Sequence, residues 1–290
     1  MRAVQSAAVT FDLRTETDLR VHPAAAEIRR VAAAFETAFD VAAARRGRRT
    51  IGLRSDRGTW VRIEARPAAH VDSRGWNGIE CAAALRGVAR PEWRQSITWR
   101  DGDLVWRADE TALVTAPPVG RNGEVLSADP GLDDAWWAAL RRSLTALAGH
   151  VTTRVVTTNM RPISQERVSA FVASVYPGVD TTIDEWTAAH GDLGWQNLTA
   201  PECVLLDWED WGMAPRGLDA ATLWLDSLAV PALAERVRHE LSAELECRSG
   251  LVCQLRGCAA ASLWPPEFAA LAAPARAHAE RVIARLRALS

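Results

Sequence analysis

Residues 187–211 read TAAHGDLGWQNLTAPECVLLDWEDW, and the order of polar groups in this stretch decides how the rest of the chain is read. His190-Gly191-Asp192 is followed five residues after the aspartate by Asn197 and ten residues later by Asp207, which closes an apolar run from Cys203 to Leu206. Asn and Asp side chains are oxygen ligands for a hard divalent cation, and a second carboxylate kept off the metal can orient a hydroxyl and take its proton. If residues 186–190 and 203–207 are two short paired strands, the 192–197 loop curls over one end and Asp207 returns beside it. That order suits phosphoryl transfer, in which the charge of a nucleoside triphosphate is neutralised by metal before a hydroxyl attacks.

The residues HGDLGWQN and LLDWEDWG resemble the catalytic loop and metal-binding segment of the aminoglycoside phosphotransferase-like kinases, which share the protein-kinase fold. The resemblance implies that Asp192 is the catalytic aspartate, that His190 supports the loop, and that Asn197 and Asp207 hold Mg²⁺ against ATP. Arg216-Gly217-Leu218-Asp219-Ala220 resembles the family segment whose aspartate braces the catalytic loop from behind. The implied fold class is α+β and two-lobed. It has a small N-terminal antiparallel sheet lobe for nucleotide, residues 1–110, and a larger helical C-terminal lobe for catalysis and substrate, residues 111–290. The plainer reading of the same motif is an acidic hairpin around a core histidine.

With 290 residues, 48% hydrophobic and 24% charged, the chain can bury one large core or two modest lobes. No apolar run reaches membrane-spanning length, and the start, MRAVQSAAVTF, lacks the basic segment and long apolar stretch of a secretion signal. The expectation is a cytoplasmic protein with no membrane partner. Five cysteines without a CxxC pair suggest neither a disulfide framework nor a zinc site, and Cys247, Cys253 and Cys258 suit one buried helix side. All 34 basic residues are arginine. The net charge of −2 is uneven, because residues 127–227 carry 6 arginines against 14 acids. An acidic middle repels phosphate backbones, so no nucleic-acid partner is expected.

A weak alternating piece, Val9–Leu13, precedes Pro23, which opens a helical pattern over 24–46 with Ile28, Val31, Phe35, Phe39 and Val41 on one side. Residues 48–66 read as two strands around Ser55-Asp56-Arg57-Gly58. In the family the second strand carries a phosphate-binding lysine. Arg62 stands there, either as its replacement or as an exposed strand residue, with Arg54 and Arg66 as rivals. Arg45-Arg46-Gly47-Arg48-Arg49 occupies the place of a glycine-rich loop, to contact phosphate or to solvate a turn. Glu80 resembles the helix glutamate that pairs with the strand's basic residue, or is an ordinary surface acid.

Asp101-Gly102 turns a second hairpin, residues 108–114 are the expected hinge, and Pro117 to Ala128 a linker. Helices are expected from Asp133 to His150, at 163–176, from Asp219, and within 231–248 and 265–288. Trp195, Trp208 and Trp211 either stack on a substrate ring or pack.

The function expected is ATP-dependent O-phosphorylation of a small-molecule hydroxyl acceptor of antibiotic, sugar or amino alcohol type. Acids such as Asp129, Asp133, Asp134, Asp180, Asp184, Glu185, Glu209 and Asp210 offer attraction to a cationic acceptor. Against an aminoglycoside, 228–290 is mildly basic. The alternatives are a non-catalytic nucleotide-binding scaffold, motivated by the missing lysine and glycine-rich loop, and a kinase of peptide hydroxyls. The sequence carries no signal for oligomeric state.

Overall fold

A computed structural model of the chain describes residues 17–71, 74–121, 123–158 and 161–289. The strand expected at Val9–Leu13 lies outside them. The chain divides into two compact units, residues 1–72 with 93–113, and residues 73–92 with 114–290.

In the first unit a helix, α1 (Ala25–Ala34), precedes a five-stranded antiparallel sheet. Its strands are β1 (Arg45–Arg46), β2 (Thr50–Arg54), β3 (Thr59–Pro67), β4 (Trp93–Asp101) and β5 (Leu104–Ala112), in the order β1-β2-β3-β5-β4. Gly58 (φ 70°) and Gly102 (φ 57°) supply the left-handed turn positions of the two hairpins. Period-two alternation sends Val61 and Ile63 to one face with Ile51, Leu53, Trp106 and Ala108, and there Ile28, Val31 and Phe35 close the core. Full burial of each such aliphatic side chain contributes roughly 1.5–3 kcal/mol. The opposite face carries Arg62, Glu64 and Arg66 on β3, with Asp109 and Arg107 in register on β5.

In two places the first unit departs from the sequence reading. The helix read over 24–46 ends at Ala34. Glu36 turns left-handed (φ 49°), and Asp56 Oδ1 accepts from Thr37 Oγ1 (2.6 Å) and Ala38 N (3.1 Å), which draws the chain onto the β2–β3 turn. Val41, offered to the helix's buried side, is 51% exposed. The hinge expected at 108–114 is mostly strand, because β5 continues to Ala112 between β3 and β4.

The second unit contains α2 (Gly78–Cys81), α3 (Asp134–Ala148), the ribbon β6 (Thr157–Thr158) and β7 (Arg161–Pro162), and α4 (Gln165–Val175). Next come β8 (Trp186–Ala189), β9 (Gly212–Pro215), α5 (Leu218–Asp226), α6 (Pro231–Glu240), α7 (Ser242–Glu246), α8 (Arg248–Ala261) and α9 (Ala269–Ala288). Asp133 caps α3 by accepting from Trp136 N at 2.8 Å. Among these helices α8 is buried along most of its length, Cys253 and Cys258 included. Cys247 stands just before it and caps it, its sulfur accepting from Gly250 N.

Compared with the expected division at 110/111, residues 73–92 join the second unit. The hydrogen bonds explain why. Trp211 Nε1 donates to Gly78 O (2.9 Å), Arg154 to Asn77 Oδ1 (2.8 Å) and Leu205 N to Ala89 O (2.9 Å). Gly78 is required there, since a Cβ would lie 2.0 Å from Glu209 O. No described helix is long and apolar enough to cross a membrane.

Candidate active site

The segment carrying the candidate residues hangs from a two-stranded ribbon, but not the one expected. β8 pairs with β9, Trp186 opposite Pro215 and Ala189 opposite Gly212, while 203–207 forms no strand. It instead forms an isolated bridge between Leu198 and Leu205, and Leu206 N donates to Asn197 O at 2.8 Å. The tryptophan-rich turn at 208–211 buries Trp208 and Trp211. Pairing with β8 therefore resumes only at Gly212, where a Cβ would meet the backbone of Arg154 and Val155 at 2.7 Å. Asp207 still comes back beside Asn197, one residue past that Leu206–Asn197 bond.

Within the loop the polar groups hold one another. Asn197 Nδ2 donates to Asp192 O (2.8 Å) and to Asp192 Oδ2 (3.2 Å), which fixes the direction of the Asp192 carboxylate. His190 is fully buried; its Nε2 donates to Leu206 O at 2.7 Å, and its Nδ1 faces Asp192 N at 3.4 Å. That bond ties the start of the loop to the segment delivering Asp207. Trp208 lies against the imidazole, ring centroids 4.7 Å apart. Asp219 accepts from His190 N (2.7 Å) and Gly191 N (2.9 Å), so it braces the loop from behind. Burial pushes the Asp219 carboxyl up, against the opposing influence of His190 and the two amides. Gly191 has φ 91°, and a Cβ there would meet Val156 at 2.8 Å.

Asp192 and Asp207 are exposed while Asn197 is buried, so the two carboxylates are reachable and the amide is held. Asp207 adopts φ 62°, a left-handed conformation that aspartate tolerates better than most residues. A Mg²⁺ site fits this donor set. Asn197 commits its NH₂ to Asp192 and keeps Oδ1 for a cation, and Asp207 adds a carboxylate. Among the described residues no cluster of three or more His, Cys, Asp or Glu side chains could hold a metal. Mg²⁺ is characteristically held by one or two protein oxygens, with water and phosphate supplying the rest.

The first unit places Arg62 differently from a lone phosphate-binding residue. Its NH1 donates to Glu64 Oε2 at 2.8 Å, and Glu64 also takes Arg66 Nε. Glu64 and Arg66 are 2% and 4% exposed, so both belong to the buried ladder in which Arg107 pairs with Asp109. Two guanidiniums share the Glu64 carboxylate. Glu80 sits in α2 of the second unit. At 45–49, β1 pairs with β2, and Arg46 NH1 donates to Leu19 O and His22 O.

Sequence reasoning missed Asp226. Its Oδ2 would lie 2.7 Å from a Cβ on Gly194, two residues past Asp192. Burial first, then the Asp192 charge, pushes its carboxyl up to about 7. It lines a cavity of about 300 Å³ together with Trp195, whose Nε1 donates to Ser227 Oγ at 3.0 Å. The acids offered beforehand to a cation are largely committed elsewhere. Asp133 caps α3, Asp134 pairs with Arg236, Asp180 with Arg248 and Glu185 with Arg216. Asp184 accepts from Ser249 and Asp210 from Thr157. The residue spacing that could have exposed Asp226 is its place seven after Asp219, on the same helix side.

Over 88% of this chain and 92% of the other, the structure superposes on an amicoumacin kinase in complex with AMP-PNP, Ca²⁺ and Ami, with a TM-score of 0.52 and 10% identity. The fold is that of the aminoglycoside phosphotransferase-like kinases. An aminoglycoside 2'-phosphotransferase-IIIa, solved as its GDP complex, shows the same phosphotransferase-like fold at a TM-score of 0.52, with 14% identity over 84% of this chain and 89% of that one. So does a protein from Thermobifida fusca assigned as a fructosamine-3-kinase, at 0.52 and 18%, over 88% of this chain and 98% of that one. No protein-family model and no curated protein matches the chain.

Proposed function

We propose that the protein is an ATP-dependent O-phosphotransferase acting on a hydroxyl of a small molecule in the cytoplasm. The observation supporting this most is the Asn197–Asp192 bond, inside a loop that Asp219 holds from behind and His190 ties to the Asp207 segment. In this reading Asp192 accepts the proton of the acceptor hydroxyl as its oxygen attacks the γ-phosphorus and ADP leaves. Asn197 keeps the carboxylate aimed and presents Oδ1, with Asp207, to Mg²⁺. The cation, when bound, neutralises charge on the phosphates. Arg62, on β3, would offer the phosphates a planar fork rather than the compact ammonium of a lysine.

The test is transfer of labelled γ-phosphate from ATP to a panel of sugars, amino alcohols, hydroxylated antibiotics and Ser/Thr peptides. Asp192→Asn is expected to lower transfer by about 10²–10⁴-fold. Nucleotide binding with no transfer to any acceptor would favour the non-catalytic scaffold, the reading that the Glu64-engaged Arg62 supports.

A further inference from the structure

The second unit contains a cavity that the phosphotransfer groups do not account for. Its volume is about 300 Å³, the lower end of the range for small-molecule sites. Gly120, Trp195, Trp264, Phe268, Leu271 and Asp226 line it. One wall is preset: Trp195 is 2% exposed, its indole N–H is tied to Ser227, and Trp136 and Trp137 pack on it at 6.2 Å and 6.1 Å. Gly120 N donates to Trp195 O and Val119 N to Leu198 O, so the segment read as a linker is laid against the catalytic loop. Trp264 and Phe268, tilted by 56° with centroids 5.9 Å apart, are half-buried and offer aromatic surface.

Asp226 supplies the polar part. Among the described residues no hydrogen bond or ion pair engages its carboxylate, unlike the acids paired with arginine elsewhere in the unit. The other charged lining residues, Arg121 and Glu124, are exposed and face each other at 3.8 Å. The Gln196 amide also lines the cavity, near the same Gly194; with no hydrogen bond to it, the carboxylate is costly until a cation or donor joins it, and aromatic faces also attract an ammonium. Its closeness to Gly194 puts it within a small molecule's length of Asp192.

We propose that this cavity receives the acceptor, and that the acceptor is a hydroxyl compound carrying one ammonium for Asp226 and a compact apolar or aromatic body for Trp195, Trp264 and Phe268. Calling the ligand an acceptor rests on the phosphotransferase reading; its chemistry rests on the cavity. A polycationic aminosugar finds a single unpaired carboxylate here and an apolar wall where it needs further acids.

Titration calorimetry without nucleotide separates the two ideas. The probes are 2-amino-1-phenylethanol, its neutral counterpart 1-phenyl-1,2-ethanediol, and kanamycin as a hydroxyl-rich polycation. The aminoalcohol is expected to bind at least about tenfold more tightly than the diol, equivalent to about 1.4 kcal/mol. Asp226→Asn should erase that preference, and Trp264→Ala should weaken both probes, each variant retaining a cooperative unfolding transition. Equal affinity for aminoalcohol and diol, a preference that survives Asp226→Asn, tighter binding of kanamycin, or no saturable aminoalcohol binding at millimolar concentration would each overturn the proposal. A failure of the phosphotransferase reading would appear instead as absent ATP-dependent stabilisation.

Discussion

Helix α5 carries two aspartates at its two ends, and they have opposite fates. Asp219 and Asp226 are seven residues apart, so at 3.6 residues per turn both lie on one side of the helix. Asp219 sits in the first turn, at the favourable end of the helix dipole, and accepts two backbone hydrogen bonds, from His190 and Gly191. Asp226 is the last helical residue, at the unfavourable end, near Asp192 and without a described partner. Burial pushes both carboxyls upward. The difference lies in what the neighbours supply: a carboxylate saturated by amides is a strut, and one left open in a cavity is a binding group.

Asp219→Ala leaves the amides of His190 and Gly191 buried without acceptors, and denaturant unfolding should register a loss of roughly 2–4 kcal/mol. A loss under about 0.5 kcal/mol would remove the strut from the account. Glu64→Gln extends the comparison to a buried acid that is saturated by guanidiniums. It strips the shared counter-charge from Arg62 and Arg66 and should cost about 2–3 kcal/mol in the same assay.

Asp226→Asn should act in the other direction. An aspartate ionises near 3.8 in the unfolded chain, and Asp226 near 7 in the folded one, so between those values folding takes up a proton. Stability therefore falls as pH rises through this window and the loss is complete above it. The variant should be more stable than the parent by on the order of 1–2 kcal/mol at pH 8 and no more stable at pH 3.5. Urea melts at the two pH values check the sign. The smallest effect is expected at Asp133, an ordinary capping acid, where Asp133→Ala should cost about 1 kcal/mol in the same urea melts.

The bonding within the loop was legible because its groups are local: Asn197 bonds Asp192 and His190 bonds Leu206 within one short segment, and Asp219 follows in the same stretch. The hairpins of the sheet were legible from Gly58 and Gly102, and the helix at Asp133 from its cap. What escaped depended on tertiary partners. The strand facing β8 could not be read as 212–215 rather than 203–207, because burial of Trp208 and Trp211 decides where pairing resumes. The end of α1 is set by Asp56, in the β2–β3 turn. Glu64 stands two residues from Arg62, yet its sharing with Arg66 needed the strand register. Asp226 is unremarkable in sequence, since only the fold brings it beside Gly194.

The central claim, that residues 190–207 form a metal-dependent nucleotide site, is tested most directly by thermal unfolding with Mg²⁺ alone, ATP alone and both together, for the parent protein and for Asp207→Ala. A ligand that binds only the folded state at a hundredfold excess over its dissociation constant adds about 2.7 kcal/mol. The account predicts stabilisation of that order when ATP and Mg²⁺ are present together, and its loss in Asp207→Ala. No stabilisation of the parent, or equal stabilisation of parent and variant, would contradict it.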